Sequence, residues 1–328
     1  RAFCPAAYTK ERGYAVYRYI LKRILFLIPT ILGVVFIIFF VLNLTPGNPG
    51  RSILGVSAPQ EAVDQLNEEL GYNDPLLVKY FNYLKNLVLN RSFGTSYFTG
   101  QAVADEVLPR FGVTLKLSTI GIIISTLVGV PLGILTAVKQ YSIWDYVPSV
   151  LAFLLAAIPS FVLGMVLLFV FALKLNILPS YGLETWKCYI MPSLCMAIPI
   201  TAFNVRFTKS SMLESIREDY IDTARAKGAK ERTVIWKHAL KNALLPVITN
   251  IGLNMGGLIM GAVVAERLFS VPGIGALIVD RIAYKDEPVI IAGTIVISIT
   301  FTIIMLAVDI IYAFVDPRIR AKYTKVKG

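Results

Sequence analysis

Charge is scarce in this chain. Of its 328 residues only 16% are Asp, Glu, Lys or Arg, and 56% are hydrophobic. A soluble globular domain carries roughly 25% charged residues. The shortfall excludes an ordinary water-soluble fold and leaves the bilayer as solvent. Cysteine is scarcer still. Cys4, Cys188 and Cys195 are the only three, too few for a disulfide framework. Cys188 and Cys195 are expected seven positions apart on one helix, about 10 Å in rise and out of bonding reach. Together with the single histidine, His238, they give no metal-ligand cluster. Phosphate loops of the GxxxxGKS/T kind are absent, as are GxSxG, HExxH and CxxC. No catalytic residue and no metal ligand are therefore assigned, and the chain is expected to bind no cofactor and to be no enzyme itself.

What is present is apolar length. Charge-free windows lie at 24–50, 117–138, 146–173, 188–205, 242–265 and 288–308. Each is about what a helix rising ~1.5 Å per residue needs to cross ~30 Å of hydrocarbon. The expected fold is all-α and integral to the membrane, with six transmembrane helices at 24–44, 113–138, 147–173, 188–208, 243–265 and 288–314. An N-terminal segment (1–23), a cap after the first span (45–112), a charged segment (209–242) within a core of 113–314, and a tail (315–328) complete the division. Arg18, Lys22 and Arg23 precede the first window as in a signal peptide, but its apolar stretch is longer than a signal core, so it is read as a retained span.

Orientation follows from the basic residues. The termini, the loop at Lys139 and the 206–241 region hold 21 of the 32 Lys and Arg, whereas the 11 on the other side are nearly balanced by 12 acids. Both termini are expected in the cytoplasm. The net charge of +11 is thus a topology signal, with lipid as partner and no need for nucleic acid. The cap should hold a helix at 60–70 closed by Gly71, and an amphipathic helix at 75–89 with Leu77, Tyr80, Leu84, Leu87 and Val88 in helical register. It is too short for a large core and reads as a lid or scaffold.

Pro131, Pro159, Pro192, Pro199 and Pro246 fall in the inner spans, with Gly129, Gly133, Gly252, Gly256, Gly257 and Gly261 near them. Kinked helices that pack closely suit a bundle that changes shape. A turn at 269–275 should lead into a short helix at 276–284. The spans show no buried charges of the sort that mark an ion pathway. Asp309 is read as structural, near Asp316 and Arg318. Transport by such a chain must draw its energy from a partner.

The charged island EDYIDTARAKGAKERTVIWKHALKNALLP, residues 218–246, is built for contact. Leu213, Ile216, Tyr220 and Ala224 mark one helical face, and Glu214, Glu218, Asp222 and Arg225 an adjacent one. Ser215 and Glu218 suit a capping box, Thr223 and Ala224 a low-relief surface for another protein, and Gly228 a left-handed stop. A second helix, 231–242, then runs into the fifth span. A push on the first helix would pass through a stiff turn into a membrane helix.

Asp222-Thr223-Ala224-x3-Gly228 followed by Leu245-Pro246 resembles the EAA motif of bacterial ATP-binding-cassette importer permeases. The usual form is Glu-Ala-Ala-x3-Gly, a gap, then Ile-x-Leu-Pro. Asp222, Thr223, Ala243 and a longer gap depart from it in the manner of the dipeptide/oligopeptide/nickel family. LTPGNP at 44–49, Asn73-Asp74-Pro75, FGTSY at 93–97, Leu178-Pro179, FSVPGIG at 269–275 and Asp316-Pro317-Arg318 extend the resemblance over nearly the whole chain, which is similar to the B-type permease of that family. The resemblance implies an importer-type permease fold with a cytoplasmic coupling helix and an extracytoplasmic helical cap, in the bacterial inner membrane. It implies a heterodimer with a second homologous permease, two cytoplasmic ATPases holding ATP and Mg, and an extracytoplasmic substrate-binding protein. Asp222, Thr223, Ala224, Gly228, Leu245 and Pro246 would couple to the ATPase, with Glu218, Tyr220 and Arg225 at the contact. Asn204, Asn250, Asn254 and Met255 are the candidate substrate pathway. Short peptides are the implied cargo, with nickel or a metal–chelator complex as the alternative. A stand-alone channel or an integral membrane enzyme is the alternative of another class.

Overall fold

The computed structural model describes residues 5–315, with side chains described at 21 and over 25–311. Cys4 and the Asp316-Pro317-Arg318 match in the tail lie outside the described residues. Among the described residues the chain is helical, without strands, and its one β-bridge joins Thr95 to Ala102. Among the described residues five helices are long and apolar enough to cross a membrane: Leu25–Leu44, Val103–Val138, Trp186–Ile216, Glu231–Leu268 and Glu287–Ile311.

A sixth crossing exists only as a pair. Ile143–Ala157 and Ser160–Lys174 meet at a bend of 100°, where one kinked helix over 147–173 was expected. The reason is local. Ile158 precedes a proline and is held extended at φ −83°, ψ 124°, and Pro159 opens the next helix at φ −57°, ψ 140°. Pro199 and Pro246, by contrast, remain inside helices. Pro192 falls in the first turn of Ile190–Ile216, where a missing amide is tolerated.

The chain divides into two compact units, residues 1–113 with 272–306, and residues 114–271 with 307–328. In the first unit, the end of the long helix Pro5–Leu44 is followed by a short helix, Pro49–Leu54, whose start is capped by the Asn48 side chain accepting from the Arg51 amide. Helices Gln60–Glu69 and Leu76–Leu89 come next, and Ile274–Ala283 precedes the last long helix, Glu287–Val315. Val35, Phe39 and Leu42 of the first span pack on Ile290, Ile291 and Ile295 of the last. A second cluster joins Val103 and Val107 to Ile274, Leu277 and Val289.

This unit also buries charge, all of it outside the apolar windows. Lys79 meets Glu287 at 3.3 Å, and Arg281 meets Glu106 at 2.6 Å. Asp286 accepts from the Ser96 hydroxyl at 2.5 Å and the Tyr97 amide at 3.0 Å. The Lys285 ammonium donates to the carbonyls of Leu42, at 2.8 Å, and Thr45, closing the C-terminal end of the first span. Burial pulls the pKa of that ammonium down. Gly47 leaves its room, since a β-carbon there would stand 2.7 Å from Lys285 Cε. Each charge is held by a partner, so the set fastens elements together and forms no open relay.

In the second unit, helices approach through glycine. A β-carbon on Gly129 would lie 2.7 Å from Asn204 Cβ, and one on Gly133 would lie 2.6 Å from Thr208 Cβ. The helices Val103–Val138 and Ile190–Ile216 therefore meet nearly backbone to backbone. Buried Asp145 pairs with Lys209 and accepts from Ser149 at 3.1 Å. Cys188 sits in a single 3-10 turn, Trp186–Tyr189, ahead of the helix that carries Cys195, so the two do not share one regular helix as expected; both are free thiols.

Candidate functional site

The charged island resolves into a joint between two long helices. Ile190–Ile216 ends at Arg217, and a separate helix, Asp219–Ala226, starts after Glu218 in extended conformation. The expected continuous face is therefore divided. It is not dispersed, because Leu213, Ile216 and Ala224 all pack against one buried cluster of Ile134, Met212, Ile221, Val234, Ala239 and Ala243. The expected capping box does not form, and Glu218 makes no side-chain cap bond. Ser215 is used elsewhere: its hydroxyl donates to the Ala239 carbonyl at 2.8 Å and takes the Tyr220 hydroxyl at 2.7 Å. Asp219 and Asp222 in the first turn and Arg225 in the last suit the helix dipole.

Gly228 closes this helix. It has φ +79°, its amide bonds the Arg225 carbonyl at 2.9 Å, and the Ala229 amide bonds the Ala224 carbonyl at 3.2 Å. These are the two bonds of a Schellman stop, with Ala229 and Ala224 packed against the same cluster. A β-carbon at 228 would meet no atom within 4 Å, so the requirement for glycine lies in backbone conformation.

Arg225 spans the turn. Its guanidinium reaches Glu231 through two bonds of 2.9 and 3.2 Å and Asp222 at 3.2 Å. The bonds it donates to Glu231, and that residue's charge, raise the arginine pKa. Asp222, Thr223, Arg225 and Gly228 are exposed, while Ala224 is half-buried and turned to the cluster. The low-relief open surface expected of Thr223 and Ala224 thus belongs to Thr223 and its exposed neighbour Ala226.

Beyond the turn, Glu231–Leu268 runs on without a break in helicity, but Val234–Ala239 is wound as a π-helix. Such bulges are common at functional sites. Ala243 of this helix and Ile221 of Asp219–Ala226 share the buried cluster. That shared cluster joins the two halves of the motif. Leu245 and Pro246 follow, half-buried, and Pro246 removes the amide that would bond the Asn242 carbonyl.

Further along, three candidate pathway residues come together. Buried Asn204 accepts from the Asn250 amide at 3.0 Å and the Asn254 amide at 3.1 Å, while its own amide nitrogen has no partner. Met255 is half-buried, about 100° further round the helix, and takes no part in this bonding. Glu231 and the Ser215–Ala239 link were not singled out from the sequence. Arg225 and Glu231 straddle a left-handed glycine, so no helical spacing relates them.

The chain matches the family described as "Binding-protein-dependent transport system inner membrane component" over residues 129–321. Residues 16–118 match that family's N-terminal membrane component. It is 40% identical over 304 residues to the glutathione transport system permease protein GsiC of Salmonella choleraesuis (strain SC-B67), covering 93% of this chain and 99% of that one. The GsiC of Escherichia coli (strain K12) is 38% identical over the same coverage. Among solved structures, the inward-facing MetNI methionine ABC transporter shares the fold with a TM-score of 0.54 at 18% identity, over 64% of this chain and 96% of that one. An amino acid ABC transporter gives 0.50 at 13% identity, over 66% and 94%.

Proposed function

This chain belongs to the family of inner-membrane components of binding-protein-dependent transport systems, and we propose that it forms half of the pathway by which an ATP-driven importer admits short peptides. The observation that carries the proposal is one continuous lever. Helix Asp219–Ala226 is clamped to helix Glu231–Leu268 by Arg225–Glu231, by Tyr220–Ser215–Ala239 and by the buried cluster that Ile221 and Ala243 share. The second helix carries Asn250 and Asn254 to their bonds with Asn204.

A partner ATPase receives the exposed Asp222–Thr223–Arg225 face, which docks as a helix in a groove. ATP and Mg belong to that partner. Closure of two such ATPases biases the permease between two states, and a shift at Glu231 reaches Asn250 along about 28 Å of helix. Both termini face the cytoplasm, a second homologous permease completes the pathway, and an extracytoplasmic binding protein delivers cargo. Peptide cargo is supported by the uncharged amide cluster, whose donors and acceptors match those of a peptide bond, and by relatives named for transport of glutathione, itself a small peptide.

The test is ATP hydrolysis and uptake by the full complex in vesicles. Labelled dipeptides or glutathione, offered with the binding protein, should stimulate hydrolysis and accumulate. Uptake of nickel or a nickel chelate with no peptide uptake would overturn the cargo. Transport by the chain without any ATPase would overturn the mechanism.

A further inference from the structure

Two helices of the first unit expose opposite chemistry. Gln60–Glu69 exposes Glu61, Asp64, Glu68 and Glu69. Leu76–Leu89 contains no acid and exposes Leu77 (57%), Phe81 (63%), Val88 (70%) and Leu89 (67%). Its exposed polar residues are Asn82 and Lys85, and its other lysine, Lys79, is turned inward to Glu287.

The packed side of Leu76–Leu89 fixes its depth. The Tyr80 ring stands edge-on to Phe36 at 5.6 Å and Phe39 at 6.1 Å, and Tyr83 stands edge-on to Phe39 at 5.7 Å. The Tyr80 hydroxyl donates to the Leu32 carbonyl at 3.3 Å. Leu32 lies twelve residues before the Leu44 end of the first span, about 18 Å along the helix. Phe36 and Phe39 lie about 12 and 8 Å inside that end. In a hydrocarbon layer ~30 Å thick these positions are well below the headgroups. Phe40 and Val41 of the same stretch are themselves exposed and apolar, as are Leu77, Phe81 and Val88 of the helix packed on it.

We infer that Leu76–Leu89 is a membrane-embedded helix in the leaflet reached by the Leu44 end of the first span. Lipid acyl chains cover its open face. Lys85 extends its ammonium to the phosphate headgroups, as long cationic side chains do at a bilayer boundary. Gln60–Glu69 stays in water. The segment after the first span is thus rooted in lipid by one helix and tied to the last span by Lys79–Glu287, which makes it a fixed scaffold. This inference is independent of cargo and of the coupling joint.

Nitroxide side chains test it in the full-length protein, purified with its associated subunits and placed in phosphatidylcholine–phosphatidylglycerol vesicles. The labels are attached at Phe81→Cys and Val88→Cys, with Asp64→Cys and Glu68→Cys as the aqueous pair and the native cysteines replaced. Collisions with oxygen, which concentrates in lipid, are compared with those of a water-soluble nickel chelate. The oxygen-to-chelate ratio should be several-fold higher at 81 and 88 than at 64 and 68. Equal ratios at all four would place the helix in water. Exclusion of both relaxers at 81 and 88 would mean that a protein covers the face. Either result overturns the inference. Labels at Val78 and Leu89 provide a second pair, should a nitroxide at Phe81 disturb packing.

Discussion

Arg281 and Arg225 each hold two carboxylates, the first under cover and the second in the open. Arg281 lies 2.6 Å from Glu106 and 3.7 Å from Asp286, with its side chain 10% exposed and theirs 8% and 0%. Arg225 lies 2.9 Å from Glu231 and 3.2 Å from Asp222, at 38% exposure against 59% and 75%. Similar geometry does different work. Taking the buried charges out of water is expensive, so each depends on its partners and the network tolerates no loss. The exposed pairs are screened and contribute little to stability. What Arg225 supplies is orientation, because it sets the angle of Asp219–Ala226 against the helix that follows while leaving the outer face free for contact.

Three substitutions can break or sharpen this contrast. Arg281→Met strands Glu106 and Asp286 without their counter-charge and should destabilise the protein by about 3–5 kcal/mol. Thermal unfolding of the purified chain reads that loss; a melting curve like that of the parent would mean that the buried network is not structural. Gly228→Val forces a β-branched residue into a left-handed conformation at a cost of about 1 kcal/mol or more. The effect should be local, with normal amounts of inserted protein but ATP hydrolysis uncoupled from uptake. Normal transport by this variant would remove Asp219–Ala226 from the coupling role. Arg225→Ala should change stability by no more than about 1 kcal/mol yet reduce transport. If it melts as low as Arg281→Met, the distinction between the two arginines fails.

Features that depend on composition and local spacing were legible in the sequence. The apolar windows located the long helices, and Gly228 announced its positive φ because a helix-prone run stops there. Asn204, Asn250, Asn254 and Met255 were named together from residue type, but the bonds that join the three asparagines and leave out Met255 were not legible. Features that depend on what faces what were hidden. The break at Arg217 has no glycine or proline to mark it. The π-helical winding at Val234–Ala239, whose last carbonyl accepts from Ser215, leaves no trace in residue type. The buried charges were missed because the last apolar window opens at Pro288, one residue beyond the Lys285-Asp286-Glu287 run that anchors it. Acids at a helix start are favourable on dipole grounds alone, so their pairing with Lys79, Ser96 and Arg281 required the fold.

The 100° bend after Ala157 divides one apolar window into two short helices. Ile143–Ala157 and Ser160–Lys174 have 15 residues each, about 22 Å of helix, and neither spans ~30 Å of hydrocarbon by itself. Each half needs the other, or a neighbouring helix, to complete a crossing. Ile143–Ala157 has its packing partner in the helix that follows, where Ala152 packs against Ala202 and Val205 and Asp145 pairs with Lys209. The placement of this bent segment therefore leans on residues 202–209 of the helix that follows as well as on its own apolar length.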